Sequence, residues 1–414
     1  MSPPPKAPRH AAATPPSVLR RIPAGIWALG LVSMLMDTSS EMIHALLPVY
    51  LVGALGASAL AVGVIEGIAE STAAITKVFS GALSDWLGRR KLLVAIGYGL
   101  AACTKPIFPL ASTLDWVVAA RFVDRVGKGI RGAPRDALIA DLAPAQLRGA
   151  AFGLRQSLDT TGAFLGPALA IALMWLTVDN IPLVFWFAVL PGFTAFALVV
   201  FGVHDASGSR ENKPARSPLS RAELARLPAL YWGVVAIAAV FTLARFSEAF
   251  LVLRAQELGL GLVLIPLVLV VLNVVYALSS YPVGVLADRF DHGSLLALGV
   301  LVLMLADLAL AFVGGLAGLA LGVALWGLHM GMTQGLLAAM VADAAPADLR
   351  GTAYGMFNLV GGLALLAASV VAGGLWDAFG SRATFLASAG FAVVALLALA
   401  PVARQVRGHR PAPH

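Results

Sequence analysis

Cysteine is almost missing from this chain. Cys103 is alone in 414 residues, which excludes an internal disulfide and a thiolate metal cage. It is expected to be a buried, inert thiol. Charge is scarce as well: Asp, Glu, Lys and Arg make up 12% of the chain, against about 25% in a soluble protein. With 59% apolar residues, a water-soluble fold would expose large hydrophobic patches. Enzyme signatures are lacking too. No Ser/His/Asp set or His/Cys cluster stands out, and Gly127-Lys128-Gly129 is too short for a phosphate loop. No enzyme activity, metal or cofactor is therefore expected. The net charge of +7 lies in short connectors rather than on one basic face, so nucleic acid is not an expected partner.

What the chain does have is apolar length. A spanning helix needs ~20 mostly apolar residues, and about twelve such runs follow one another. They cover 26–52, 60–83, 91–111, 116–141, 150–175 and 181–203, then 229–252, 262–287, 294–313, 316–343, 352–375 and 383–403. The fold class expected is an all-α membrane protein with two six-helix bundles. Residues 1–24 read as a disordered tail, 25–203 as the first bundle and 204–228 as a linker with a short helix near Leu219–Leu227. The second bundle is 229–404, and 405–414 a second tail.

Lys and Arg concentrate on one side of these runs. The first tail, the connectors bearing Arg89, Arg90, Lys91, Arg148, Arg289 and Arg350, the linker and the last tail hold nearly all of those that lie outside the spans. The opposite connectors hold Arg254 and Arg382. Positive connectors stay in the cytoplasm, so both termini are expected there, in a multi-pass protein of the inner membrane that works as a monomer in the lipid bilayer.

The halves repeat. Ala140-Asp141-Leu142-Ala143-Pro144-Ala145-Gln146-Leu147-Arg148-Gly149 is matched by Ala342-Asp343-Ala344-Ala345-Pro346-Ala347-Asp348-Leu349-Arg350-Gly351. Gly81-Ala82-Leu83-Ser84-Asp85 is matched by Gly284-Val285-Leu286-Ala287-Asp288, and Ser40-Glu41 more weakly by Ser247-Glu248. Duplicated halves of equal orientation are how one large class of transporters is built.

The run from Gly81 to Lys91 resembles the signature loop of the major facilitator superfamily: Gly81, Asp85, Gly88 and the basic pair Arg89-Arg90. It departs at Trp86, where a basic residue is usual; the second copy has Arg289 there, after Gly284 and Asp288. The resemblance covers nearly the whole chain. It implies two six-helix bundles working by alternating access, with these residues latching the halves rather than binding substrate. Gly162, Gly166 and Pro167 resemble the family's antiporter motif without its later glycine pair. Small residues and a proline in a span also serve tight packing and a kink.

A charge at the centre of a span costs about 2.5–3.5 kcal/mol on insertion scales, so charges there mark function or pairing. Asp37 and Glu41 lie one turn apart on span 1, Glu66 and Glu70 on span 2, Lys105 on span 3, and Arg155 and Asp159 on span 5. Span 4 carries Arg121, Asp124, Arg125, Lys128, Arg131 and Arg135. Arg121, Arg125 and Lys128 share a stripe that must meet the carboxylates of spans 1, 2 and 5 or a watery cavity. Asp37, Glu41, Glu70 and Asp159 are the proton-coupling candidates. Arg121, Arg125, Lys128, Arg245 and Glu248 are the charged cavity candidates. Asn273, Tyr276, Gln334 and Asn358 either line the substrate path or bridge helices; Trp326 and Phe357 are candidate apolar wall.

The function expected is proton-coupled export of a small molecule, powered by a proton gradient. Import or uniport of an organic anion or metal chelate is the alternative, with a non-transporting membrane sensor behind both. Dense charge before residue 160 places coupling in the first half.

Overall fold

The computed structural model describes residues 21–144, 147–204, 221–287, 291–346 and 349–408. Residues 1–20 of the first expected tail, most of the linker and residues 409–414 of the last lie outside them, while 405–408 continue the last helix. Among the described residues there are helices and connecting turns but no strand, as the apolar runs require.

Span 1 comprises α1 (Ala24–His44) and α2 (Leu47–Gly53), and span 2 is α3 (Ala59–Leu87). Span 3 is α4 (Arg90–Thr104) with α5 (Ile107–Leu110). Spans 4 to 6 are α6 (Leu114–Leu142), α7 (Arg148–Leu176) and α8 (Ile181–Gly202). A one-turn helix, α9 (Arg221–Leu224), lies where the short linker helix was expected. Span 7 is split into α10 (Ala229–Leu243) and α11 (Ala249–Glu257). Then come α12 (Leu267–Ala287), α13 (His292–Phe312), α14 (Gly315–Ala344), α15 (Arg350–Phe379) and α16 (Ser381–Gly408). Among the described residues, nine helices are long and apolar enough to cross a membrane. The other three are spans 1 and 7, both split, and the charged α6.

The helix breaks have different causes. Pro48 and Pro106 lack the N–H that would bond back one turn, so span 1 breaks after His44 and span 3 after Thr104. Span 7 breaks without proline. Its irregular stretch is held by three serines: Ala249 N–H donates to Ser247 Oγ (3.2 Å), Ser247 N–H to Ser369 Oγ (3.3 Å), and Ser388 Oγ to the Ala244 carbonyl. Backbone freed at membrane depth must find such partners.

An even number of spans puts both described ends at one end of the bundle, called here the terminal end. At the opposite, far end the halves are sealed together by α3 against α15. A Cβ on Gly63 would lie 2.2 Å from the Ser369 carbonyl oxygen, and one on Gly373 2.5 Å from that of Ala59. Gly67 meets Leu366, and Gly362 meets Ala74 and Ser71, so the seam runs from the far end to mid-membrane. Small residues permit this approach. The Asp377 carboxylate closes the far end by accepting the Ala59 and Leu60 N–H groups, each at 2.9 Å. Towards the terminal end, Phe79, Leu83 and Trp86 of α3 are exposed, and a Cβ on Gly351 at the start of α15 would meet nothing within 4 Å. The halves diverge there. Replacing Asp377 with alanine leaves two N-terminal amides of α3 without their acceptor, a loss of roughly 1 kcal/mol per cap. Label-to-label distances across the far end should then broaden toward the open form, whereas an unchanged distribution would show that the caps do not hold the seal.

Exposed Trp116, Trp175, Leu190, Phe201, Leu278 and Phe379 mark the apolar outer belt. Cys103 belongs to this surface: it is exposed, contrary to expectation, because in a bilayer an apolar environment is as available outside the bundle as inside.

Candidate functional site

Where the halves diverge, a cavity of ≈ 170 Å³ opens between them. Glu41 and His44 enter it from α1, Glu66 and Glu70 from α3, and Arg125 and Lys128 from α6. The break in span 7 contributes Arg245, Phe246, Ser247 and Glu248. Glycines set the first-half wall. α7 packs so closely on α1 that a Cβ on Gly162 would lie 2.5 Å from the Met34 carbonyl oxygen, and one on Gly166 2.6 Å from the Glu41 Cβ. The motif with Pro167 thus presses on the turn that carries Asp37 and Glu41.

Pairing among the charges is selective. Arg121, 2% exposed, donates to Glu66 at 2.8 Å, and Arg125 lies 3.3 Å from Glu70. These pairs join the α6 stripe to span 2, as expected of it. Lys105 donates to Asp124 and to Ser40, both at 2.9 Å, tying span 3 to spans 4 and 1 behind the cavity. His44 lies 3.3 Å from Glu41 and 3.5 Å from Glu66, a bridge that a count of Asp, Glu, Lys and Arg passes over. A helical projection would have found it, three residues after Glu41.

Lys128, Arg245 and Glu248 face the same cavity with no ion-pair partner among the described residues. Asp37 is half-buried one turn from Glu41 towards the terminal end and likewise has no hydrogen bond or ion pair among them. Its charged surroundings are Asp159, Lys128, Arg131 and Arg135.

Asp159 sits in a separate ionic cluster near the terminal end. It pairs with Arg155 and, at 3.8 Å, with Arg135, which also contacts Asp136 (3.3 Å) and Ser33 (2.8 Å). Arg131 stacks 4.6 Å over the Tyr98 ring.

The polar candidates of the second half do not join this cavity as a group. Tyr276 donates to Gln334 at 3.1 Å, and both line a second cavity of ≈ 310 Å³ with Gly284 and His292. Asn273 bridges the halves through the Ala163 carbonyl at 3.4 Å. Asn358 is half-buried on α15 and makes no side-chain hydrogen bond among the described residues. Trp326, expected as apolar wall, is fully buried and bonded to Asp307, while Phe357 is half-buried.

In the signature loop, Gly88 ends α3 at φ +64°, a conformation that disfavours any side chain. A Cβ on Gly81 would make ordinary contact with Ala133 of α6 at 3.4 Å, and Arg90 pairs with Asp141 at 2.9 Å within the first half. Arg89 precedes the first turn of α4. Asp85 lies in the last turn of α3, its side chain outside what is described, and Asp288 and Arg289 lie outside the described residues.

The sequence profile of the Major Facilitator Superfamily matches residues 29–369. An uncharacterised MFS-type transporter of Methanocaldococcus jannaschii is 34% identical over 386 residues, 92% of this chain and 95% of that one. The quinolone resistance protein NorA of Staphylococcus aureus is 27% identical over 197 residues, 48% of each chain. Among solved structures, an inward-facing, unoccupied bacterial homologue of the human lysosomal transporter Spinster superposes with a TM-score of 0.73. It has 15% identity, with 97% of this chain and 100% of that one covered.

Proposed function

Because this chain belongs to the major facilitator superfamily, we propose that it is a proton-coupled secondary transporter that exports a small polar solute by alternating access. The observation that carries this reading is the cavity between the halves: closed on the far side by a glycine-lined seam, open toward the terminal end, and walled by ionisable groups. With the termini cytoplasmic, as the basic connectors favour, the form described is the inward-facing one. The solute enters where Lys128, Arg245 and Glu248 have no ion-pair partner among the described residues. Glu41 carries the coupling proton, since it borders the cavity, touches His44 and lies one turn from Asp37. Protonation there loosens its hold on His44, which is then free to serve Glu66 alone.

Export rather than uptake is favoured by the likeness to a quinolone resistance protein, which covers about half of each chain. The unpartnered cations Lys128 and Arg245 favour a second reading, uptake of an organic anion. Purified protein in liposomes separates the two. Solute flux should follow an imposed pH gradient, and Glu41→Gln should abolish that response while leaving gradient-free exchange within a few-fold (on the order of 3) of the wild type. Asp37→Asn should reduce the response less. Flux that ignores the gradient, in the wild type and both variants alike, would remove proton coupling. Accumulation of a carboxylate solute on expression would favour uptake instead.

A further inference from the structure

The second half buries a carboxyl group away from the transport site. Asp307, in the last third of α13, is fully buried. Trp326 Nε1 of α14 donates to its Oδ1 at 3.2 Å, and its Oδ2 lies 2.5 Å from Ser388 Oγ of α16. The same Ser388 Oγ lies 2.5 Å from the carbonyl oxygen of Ala244, at the end of α10 where span 7 breaks.

The charged and titratable groups nearby do not pair with it. His329 of α14 stacks against Trp326 and Phe241 and lies 2.8 Å from the Gly299 carbonyl through Nδ1, which must therefore carry the hydrogen. Arg245 follows Ala244 and points to the cavity. Arg254 of α11 is held by Glu257, Ser381 and the Leu310 carbonyl. Among the described residues Asp307 has no ion pair.

A count of hydrogens then decides the state of the acid. Two contacts join three oxygens: Asp307 Oδ2, Ser388 Oγ and Ala244 O. Each contact needs a hydrogen between its oxygens. The carbonyl brings none and the serine brings one, so the other must belong to Asp307. An ionised Asp307 would leave two oxygens in contact with no hydrogen between them and a charge buried without a partner.

We propose that Asp307 is a second proton-binding site of this protein and that its proton controls the break in span 7. With the proton in place, the carboxyl O–H donates to Ser388 Oγ, and Ser388 O–H donates to the Ala244 carbonyl, capping α10. When the proton leaves to water, a carboxylate remains and no other covalent bond changes. The single hydrogen of Ser388 turns to that carboxylate, and the Ala244 carbonyl loses its donor. The next four residues, Arg245 to Glu248, present two of the cavity's unpartnered charges. Proton occupancy behind the helix and solute occupancy in the cavity are thereby linked, and linkage of binding works in both directions. This places a coupling element in the half expected to lack one. Its consequence for transport rests on the proposed function, but the protonation itself does not.

Asp307→Asn is the informative variant, because an amide keeps the acceptor for Trp326 and supplies a fixed N–H to Ser388. In infrared spectra the wild type should show a protonated-carboxyl C=O band that fades as pH rises and is missing from Asp307→Asn. Hydrogen–deuterium exchange over residues 244–248 should quicken with pH, beyond the intrinsic trend, in the wild type alone. Ser388→Ala should exchange there roughly 5-fold faster at every pH, the effect of one lost buried hydrogen bond. If Asp307→Asn does not fold, the Ser388→Ala exchange and the wild-type band still decide the matter. An unchanged band in Asp307→Asn, or parallel exchange in wild type and variants, overturns the proposal. In liposomes Asp307→Asn should flatten the pH dependence of flux. Absence of wild-type flux would count against the proposed function alone, since the band and the exchange are read without transport.

Discussion

Arg121→Leu is expected to cost about 3–5 kcal/mol of stability, the range for removing one partner of a buried ion pair. Glu66 is 1% exposed, and its Oε2 receives Arg121 at 2.8 Å, with the His44 ring at 3.5 Å as its other partner. Without the guanidinium the carboxylate must take a proton, draw more strongly on His44, or pull α3 away from α6. Thermal unfolding in detergent should therefore begin many degrees lower, with aggregation on size exclusion. The double variant Glu66→Gln with Arg121→Gln should recover most of that loss, because two neutral amides of similar length can bond to each other. It should not recover transport if the pair exchanges partners during the cycle. An Arg121→Leu protein as heat-stable as the wild type would mean that Glu66 is already neutral and that the pair is not an ionic one.

Gly63→Val is expected to open the far end. The Cβ of any larger residue would lie 2.2 Å from the Ser369 carbonyl oxygen and 3.0 Å from its carbon, and both are backbone atoms of a packed helix. No rotamer relieves that clash, so α3 and α15 must separate. The closed seam then loses at least ~1.4 kcal/mol relative to the open form, a tenfold shift in their ratio. A cysteine placed at Ala59, buried against Asp377 in the closed seam, should become reactive to a membrane-impermeant thiol reagent, with exposed Cys103 replaced beforehand. Transport should fall with it, because a cycle needs both ends to close. Gly153→Ala is the control, since a Cβ there meets nothing within 4 Å. Normal closure in Gly63→Val would show that the seam is not the seal.

Much of this fold was readable in the chain, for reasons that lie in single segments. Span length follows from bilayer thickness, and the two copies of the Asp141 and Asp343 connector show duplication without knowledge of any contact. The charged stripe of α6 was equally legible: a helix carrying Arg121, Arg125 and Lys128 cannot face lipid, and two of the three found partners on span 2. Periodicity could not reveal the break in span 7. That stretch has no proline, and it unwinds because Ser369 of α15 accepts from one of its N–H groups and Ser388 of α16 donates to one of its carbonyls.

The sequence alone determined which segments span the membrane, which way the halves are related and which helices must turn a charged face inward. Each follows from the transfer cost of a segment's own side chains. The tertiary structure decided the rest. It chose His44 as the bridge between Glu41 and Glu66, Lys105 as the mate of Asp124, and Ser388 as the link from Asp307 to span 7. It also set Cys103 on the outside. In a bilayer, hydrophobicity no longer separates the inside of a protein from its surface. Partner choice and facing then depend on how closely the helices pack, and glycines far apart in the chain decide that.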